Sequence, residues 1–340
     1  MSLWFLVFPL VVVASSLLTG VLRQYAIKRS VMDIPNERSS HSVPTPRGGG
    51  VAIVISFLFA LLAVYFLDLL SGSVMIGLLG GGLAIAILGF LDDHGHIAAR
   101  WRLLGHFVSA FWVLYWLGGL APLSALGIEG INLFWIGHIS AAFYVVWLLN
   151  LYNFMDGIDG IASVEAVSVC LGMAVIYFVL GYQQELILPI LLACAVSGFL
   201  IWNFPPAKIF MGDAGSGFLG FTLAALSLHA AWLEPNFLWS WIILLGVFIV
   251  DATFTLLRRL LRGERVYEAH RSHGYQYASR KFNGHKPVTL TILAINIVWL
   301  FPLAFFVASG FLDGIFGVLI AYIPLLLLAI KFHAGKKETV

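Results

Sequence analysis

Residues 150–160 read Asn-Leu-Tyr-Asn-Phe-Met-Asp-Gly-Ile-Asp-Gly and place four oxygen-bearing side chains at intervals of three: Asn150, Asn153, Asp156 and Asp159. If the apolar run before them stays helical to its end, residues three apart share one face. Two carboxylates and two amides together, with Gly157 and Gly160 leaving the backbone open, suit a hard divalent cation and a phosphate. The plainer reading is a polar cap on an apolar helix, since Asp and Gly also form turns. The rest of the chain weighs against it.

Three further clusters carry related chemistry. Phe-Leu-Asp-Asp-His-Gly-His sets Asp92 and Asp93 side by side at the end of another apolar run. Neighbours on a helix lie about 100° apart, so the two carboxylates cannot both point at one ligand. One is expected to face a site while the other is held by a neighbour such as His96 or Arg100. Asn203 ends a third run, and Phe210-Met-Gly-Asp213-Ala-Gly-Ser-Gly follows it. Its glycines let backbone approach a phosphate at the start of the next helix, with Asp213 bridging through a divalent ion. Finally, His270-Arg271-Ser-His273 offers donors to phosphate oxygens. Asp and Asn oxygens without cysteine favour Mg²⁺, with Mn²⁺ as the alternative. Zinc at His94-x-His96 or His270-x-x-His273 lacks convincing third and fourth ligands.

These clusters must be positioned by a membrane bundle. The 340 residues are 61% hydrophobic and only 11% charged, whereas soluble domains are nearer a quarter charged. Cys170 and Cys194 lie inside apolar runs and read as small buried hydrophobes. Residues 1–21 lack a basic n-region and read as a retained span. Eleven apolar stretches are long enough to be spanning candidates: about 3–21, 48–68, 73–91, 103–120, 134–151, 160–180, 186–203, 215–233, 237–257, 288–309 and 311–331. Alternating them from a cytoplasmic first loop puts all 19 Lys and Arg on the cytoplasmic side, as basic residues prefer. The opposite side then holds only Asp68, Glu129, Glu185, Glu234 and Asp313. The expected fold is an all-α polytopic membrane protein, one domain over 1–340, with the N-terminus periplasmic and the C-terminus cytoplasmic. Its cytoplasmic loops are about 22–47, 92–102, 152–159, 204–214 and 258–287, and every chemical cluster falls at that face. A transporter would more often keep its ionisable residues near the midplane, where only Asp251 and Glu165 lie. A transporter or flippase for polyprenyl-linked or anionic solutes is therefore the second reading. Nothing points to a nucleic-acid partner.

The blocks Phe-Leu-Asp-Asp, Asn-Phe-Met-Asp-Gly-Ile-Asp-Gly, Asn-Phe-Pro-Pro-Ala-Lys-Ile-Phe-Met-Gly-Asp-Ala-Gly-Ser and Ala-His-Arg-Ser-His resemble those of the polyprenyl-phosphate N-acetylhexosamine-1-phosphate transferases. So does the first loop from Asp33 to Arg47, although it has Arg47 and His41 where some relatives present a lysine. The resemblance is closest to the branch that initiates O-antigen synthesis. The triple-histidine motif of the pentapeptide-transferring branch is absent, since Arg271 and Ser272 separate His270 from His273. The resemblance implies that a UDP-N-acetylhexosamine and undecaprenyl phosphate react at the cytoplasmic face of a bacterial inner membrane. The products are undecaprenyl-diphosphate-sugar and UMP. It further implies Mg²⁺ on Asp213 with Asn153 or Asp156, and catalytic roles for Asp92, Asp93 and Asp156. Uracil would bind at Asp159, Asn203 and Phe210, and phosphate or sugar at His270, Arg271 and His273. Arg100 and Arg102 would meet the lipid phosphate. The sequence leaves the oligomeric state open, a homodimer included.

Overall fold

The computed structural model describes residues 3–35, 43–95, 97–264 and 270–337. His41, His96 and residues 265–269 lie outside them. All eleven apolar stretches are helical. They form α1 (Val7–Lys28), α2 (Val51–Phe66), α3 (Gly72–His94), α4 (Ala99–Leu117), α5 (Phe134–Met155), α6 (Ile161–Leu180), α7 (Ile187–Asn203), α8 (Asp213–Leu233), α9 (Pro235–Leu244) with α10 (Gly246–Leu261), α12 (His285–Ile295) with α13 (Phe301–Ala308), and α14 (Gly314–Lys331). A short helix, α11 (Gly274–Lys281), sits in the loop after α10.

Among the described residues seven helices are long and apolar enough to cross a bilayer, and eight if α9 and α10 count as one. Of the other expected spans, α2 and α7 are shorter apolar helices. The remaining one, α4, opens on Arg100 and Arg102. The expected ninth span, 237–257, is not one straight helix: α9 and α10 meet at Leu245 with a bend of 69°. No proline or charge marks that position, which is why hydropathy alone runs straight through it. Between α12 and α13, residues Asn296–Leu300 form a π-helical turn. Pro302 follows it; a proline lacks the N–H that a regular helix would return to Val298, and the widened turn absorbs the mismatch. The described chain is mostly helical, as the all-α expectation has it. Antiparallel ribbons form in two loops: β1 (Met32–Asp33) with β2 (Thr45–Pro46), and β3 (Leu123–Ala125) with β4 (Ile128–Ile131).

Helix α8 is the axis. Buried residues make up 83% of its apolar window, against 17% for α1 and 28% for α14. Gly217, against Ile85 and Leu149, and Gly220, against Leu148 and Leu149, let α3 and α5 pack close on either side. The outer helices turn Leu10, Leu17, Phe59, Phe143 and Ile323 outward, as lipid-facing surfaces do. Because α3, α5 and α7 end where α4, α6 and α8 begin, their polar termini gather at one end of the bundle.

Candidate active site

The sequence left open which aspartate of the α3 pair faces the site, and the two turn out to be held differently. Asp93 is buried, and its Oδ2 accepts the Ala214 N–H of α8 at 3.3 Å. Arg47, from the loop before α2, donates to the Asp93 backbone carbonyl. Asp93 thus caps α8 from a neighbouring helix, a place where a carboxylate gains from the free N–H groups. Asp92 accepts the Ile97 N–H at 2.8 Å and pairs with Arg102 of α4. Arg102 also lies 3.6 Å from Asp213 Oδ2. Asp92 is therefore the one that faces the cleft. Among the described residues the other, Asp93, is held by Ala214 and Arg47, while the expected His96 lies outside them and Arg100 turns elsewhere. Arg100 lies over the Trp101 ring, 5.7 Å from its centroid, while Arg102 enters the site.

The cleft is lined by Asp92, Arg102, His106, Asn150, Asn153 and Asp213, over a floor of Ile85, Leu88 and Leu149. Asn153 donates to Asp213 Oδ1 at 2.9 Å and to Ser216 Oγ at 3.0 Å. Asn150 donates to the Val146 carbonyl at 2.7 Å and stands 3.3 Å from His106 Nδ1. The Gly212 turn brings α8 here: its φ is +78°, and a Cβ there would sit 2.7 Å from Asp93 Oδ2. The first loop runs alongside, with Gly49 and Gly50 donating to Phe210 and Met211, and Phe210 donating to Pro46.

Helix α5 stops at Met155, so the row of four polar residues on one helical face does not continue past Asn153. Loop geometry places the other two. Asp159 accepts the Ala207 N–H at 3.0 Å and meets His285 Nδ1 at 3.1 Å. Asn203 spends its carboxamide on backbone: Oδ1 accepts the Gly160 N–H at 3.0 Å and Nδ2 donates to Ile209 at 3.0 Å. It braces the loop that presents Asp159, and Phe210 lies half-buried on the same segment.

The Asp156 carboxyl is pushed well above the ordinary carboxylate range, first by desolvation and then by the charges of Asp213, Asp93 and Asp159. Carboxylates this close cannot all ionise without added positive charge. Among the described residues no three His, Cys, Asp or Glu side chains form a ready-made metal cage. The all-oxygen donors still fit an ion that takes part of its shell from a diphosphate and water. A raised carboxyl stabilises the fold below its ordinary value of 3.8, and that contribution is lost as pH rises through the folded value. Mg²⁺ is therefore expected to raise the melting temperature by an increment that grows as pH rises above 3.8. An increment already complete at the acid end would refute this account of the cluster.

The histidine loop reaches the site through α10 and α11. Asp251 accepts the N–H groups of Gly274 and Tyr275, both at 2.9 Å, and the Thr255 hydroxyl at 3.2 Å. It also stands 3.4 Å from His273 Nδ1. An acid on one helix thus supplies the N-terminal cap of another. From α11, the Tyr275 hydroxyl donates to the Phe154 carbonyl at 3.0 Å, and a Cβ on Gly157 would collide with it. His273 stacks between His270 and Tyr275, and Arg271 lies half-buried beside them. The Ser272 N–H donates to His270 Nδ1 at 3.3 Å, which puts the ring proton of the neutral form on Nε2. Burial, then the charges of His273 and Arg259, hold the His270 pKa down to about 3. It is a neutral donor at working pH.

Sequence reasoning gave no role to Tyr275, Ser216 and Ala214, which make contact only in the fold, and did not single out His106 or His285. Asp251 did leave a trace, an acid within an apolar run.

The glycosyl transferase family 4 model matches residues 75–231. A probable undecaprenyl-phosphate N-acetylglucosaminyl 1-phosphate transferase of Bacillus subtilis is 30% identical, over 83% of this chain and 79% of its own. A decaprenyl-phosphate N-acetylglucosaminephosphotransferase of Mycobacterium tuberculosis is 28% identical, over 86% and 78%. A phospho-N-acetylmuramoyl-pentapeptide-transferase of Streptococcus equi is 35% identical, over 63% and 66%.

Proposed function

The chain belongs to glycosyl transferase family 4, whose matched relatives are named as transferases of N-acetylglucosamine phosphate and polyprenyl phosphate, and from that premise we propose its reaction. It moves an N-acetylhexosamine-1-phosphate from a UDP-sugar to undecaprenyl phosphate at the cytoplasmic face of the bacterial inner membrane, releasing UMP. The product would start an O-antigen-type surface polysaccharide. The observation that carries this reading is the convergence of Asp92, Arg102, Asn153 and Asp213 around one cleft at one end of the bundle.

One phosphoanhydride bond is broken and another made, so no external energy source is required. Such transfer depends on positioning and charge neutralisation. Mg²⁺, held by Asp213 and Asp156 with Asn153, would neutralise the diphosphate of the donor. Arg102, steadied by Asp92, presents a guanidinium to a phosphate, which that group binds well. The lipid phosphate has a second pKa of about 6 by analogy with protein phosphomonoesters, so it arrives largely dianionic. Asp92 therefore serves by orienting Arg102, and no proton abstraction is demanded of it. The His270 Nε2–H donates to sugar or phosphate without adding charge. Asp159 and Phe210 form the side where the uracil would lie, with Asn203 as their brace.

The test is purified protein with undecaprenyl phosphate, Mg²⁺ and a panel of UDP-sugars, scored for UMP and lipid product. UMP is expected from a UDP-N-acetylhexosamine and none from the pentapeptide-bearing donor. No UMP from any UDP-N-acetylhexosamine would turn the reading toward transport.

A further inference from the structure

Away from this site, α6 carries one acid in the apolar interior. Glu165 has no exposed surface. Its Oε2 accepts from Asn296 Nδ2 at 2.7 Å, and the Phe248 backbone N–H lies near the carboxyl. Asn296 Nδ2 donates as well to Ser168 Oγ at 2.8 Å, whose hydroxyl is spent on the Glu165 carbonyl at 3.0 Å. Two buried oxygens then stand without a partner, Glu165 Oε1 and Asn296 Oδ1. Both are acceptors, so neither can satisfy the other as they stand.

The surroundings supply no missing donor. Among the described residues no Lys, Arg or His is paired with Glu165. Tyr152 on α5 and Tyr322 on α14 are the titratable groups close enough to feel its charge. Their hydroxyls are committed to the Ala162 carbonyl at 2.9 Å and the Ile242 carbonyl at 2.7 Å.

We propose that Glu165 is a proton-binding site: it sits in the bundle as the neutral acid, its Oε1 hydroxyl supplying the donor that this cluster lacks. One proton does two things at once. It removes an uncompensated charge from the interior of a membrane bundle, where such charges are costly, and it turns one of two orphaned acceptors into a donor. The alternatives each do less. A hard cation wants about six oxygens, and only two are free here. A bridging water could donate to both oxygens but would leave the charge in place. The N-terminal dipole of α10 favours an anion, yet offsets only a small part of the cost of burying an unpaired carboxylate.

The position gives the proton a purpose. Phe248 lies in the first turn of α10, directly after the 69° break, and Asn296 opens the π-helical turn. Glu165 therefore ties α6 to the two irregular points of the neighbouring helices. One turn along α10 from Phe248 is Asp251, which caps α11. The joint that fixes the break also sets where that cap is held.

The experiment does not depend on the transferase reading. Infrared spectra of the wild-type protein and of Glu165→Gln, reconstituted at neutral pH, are subtracted, and melting temperatures are read in sodium and in choline chloride for both, with Glu165→Ala alongside. The expected difference spectrum contains a protonated-carboxyl C=O band. Glu165→Gln, which imitates the neutral acid, melts close to wild type, and Glu165→Ala melts several degrees lower. Sodium changes neither wild type nor Glu165→Gln. The proposal is overturned by carboxylate bands alone in the difference spectrum, by sodium stabilising wild type but not Glu165→Gln, or by failure of Glu165→Gln to fold.

Discussion

Asp213→Ala is expected to lower UMP release by about 10³-fold or more, the size of effect that follows from losing several kcal/mol of charge stabilisation at a transferring phosphoryl group. The loss should fall on turnover. Asp213 is the first residue of α8 and contributes a carboxylate to the positive end of that helix, worth only about 0.3–1 kcal/mol of stability. The capping of α8 by Asp93 through Ala214 is untouched by the change. Asp213→Asn makes the comparison sharper, because its carbonyl oxygen can still accept from Asn153. It should melt like wild type and turn over like the alanine variant. Near-normal UMP release by Asp213→Ala in Mg²⁺ would remove Asp213 from the reaction.

Asp251→Ala should be nearly as damaging, by a different route. It orphans two buried N–H groups, each costing about 1–3 kcal/mol, at the start of a helix of only eight residues. So short a helix does not hold itself together in isolation. The segment carrying His270, Arg271 and His273 then loses its anchor, and turnover is expected to fall roughly 10²-fold or more, since small misplacements at this distance from the chemistry cost that much. Asp251→Asn keeps one acceptor and should be intermediate. Amide exchange at Gly274 and Tyr275 separates this from a general loss of fold: both amides should exchange faster while those of α8 stay protected. Unchanged protection at Gly274 and Tyr275 would contradict the role assigned to Asp251.

What the sequence made legible was whatever is local. The ends of α3, α5 and α7 are announced by Asp92, Asn150 and Asn203 interrupting long apolar runs, and the turn at Gly212 by its glycines. The partners of these residues were not legible, because they come from far along the chain. Asp93 meets Ala214 across 121 positions, and Tyr275 meets Phe154 across another 121. Asn203 shows the same limit from the other side. Its type and place at the end of a span suggested a ligand, whereas burial gives both ends of its amide to backbone. The bend at Leu245 escaped for a further reason. An apolar helix that breaks without proline or charge looks like one that does not.

The enclosure of α8 bears on how the protein is made. It is the least apolar of the seven long helices, yet the one most fully withdrawn from lipid. Left alone in a bilayer it would expose Thr222 and Ser227 to hydrocarbon. The ribosome delivers α3 and α5 first, so the seat that shelters those groups is already assembled when α8 emerges. Deletion of either earlier helix should strand α8 during insertion and send the nascent chain to quality control before any cleft exists.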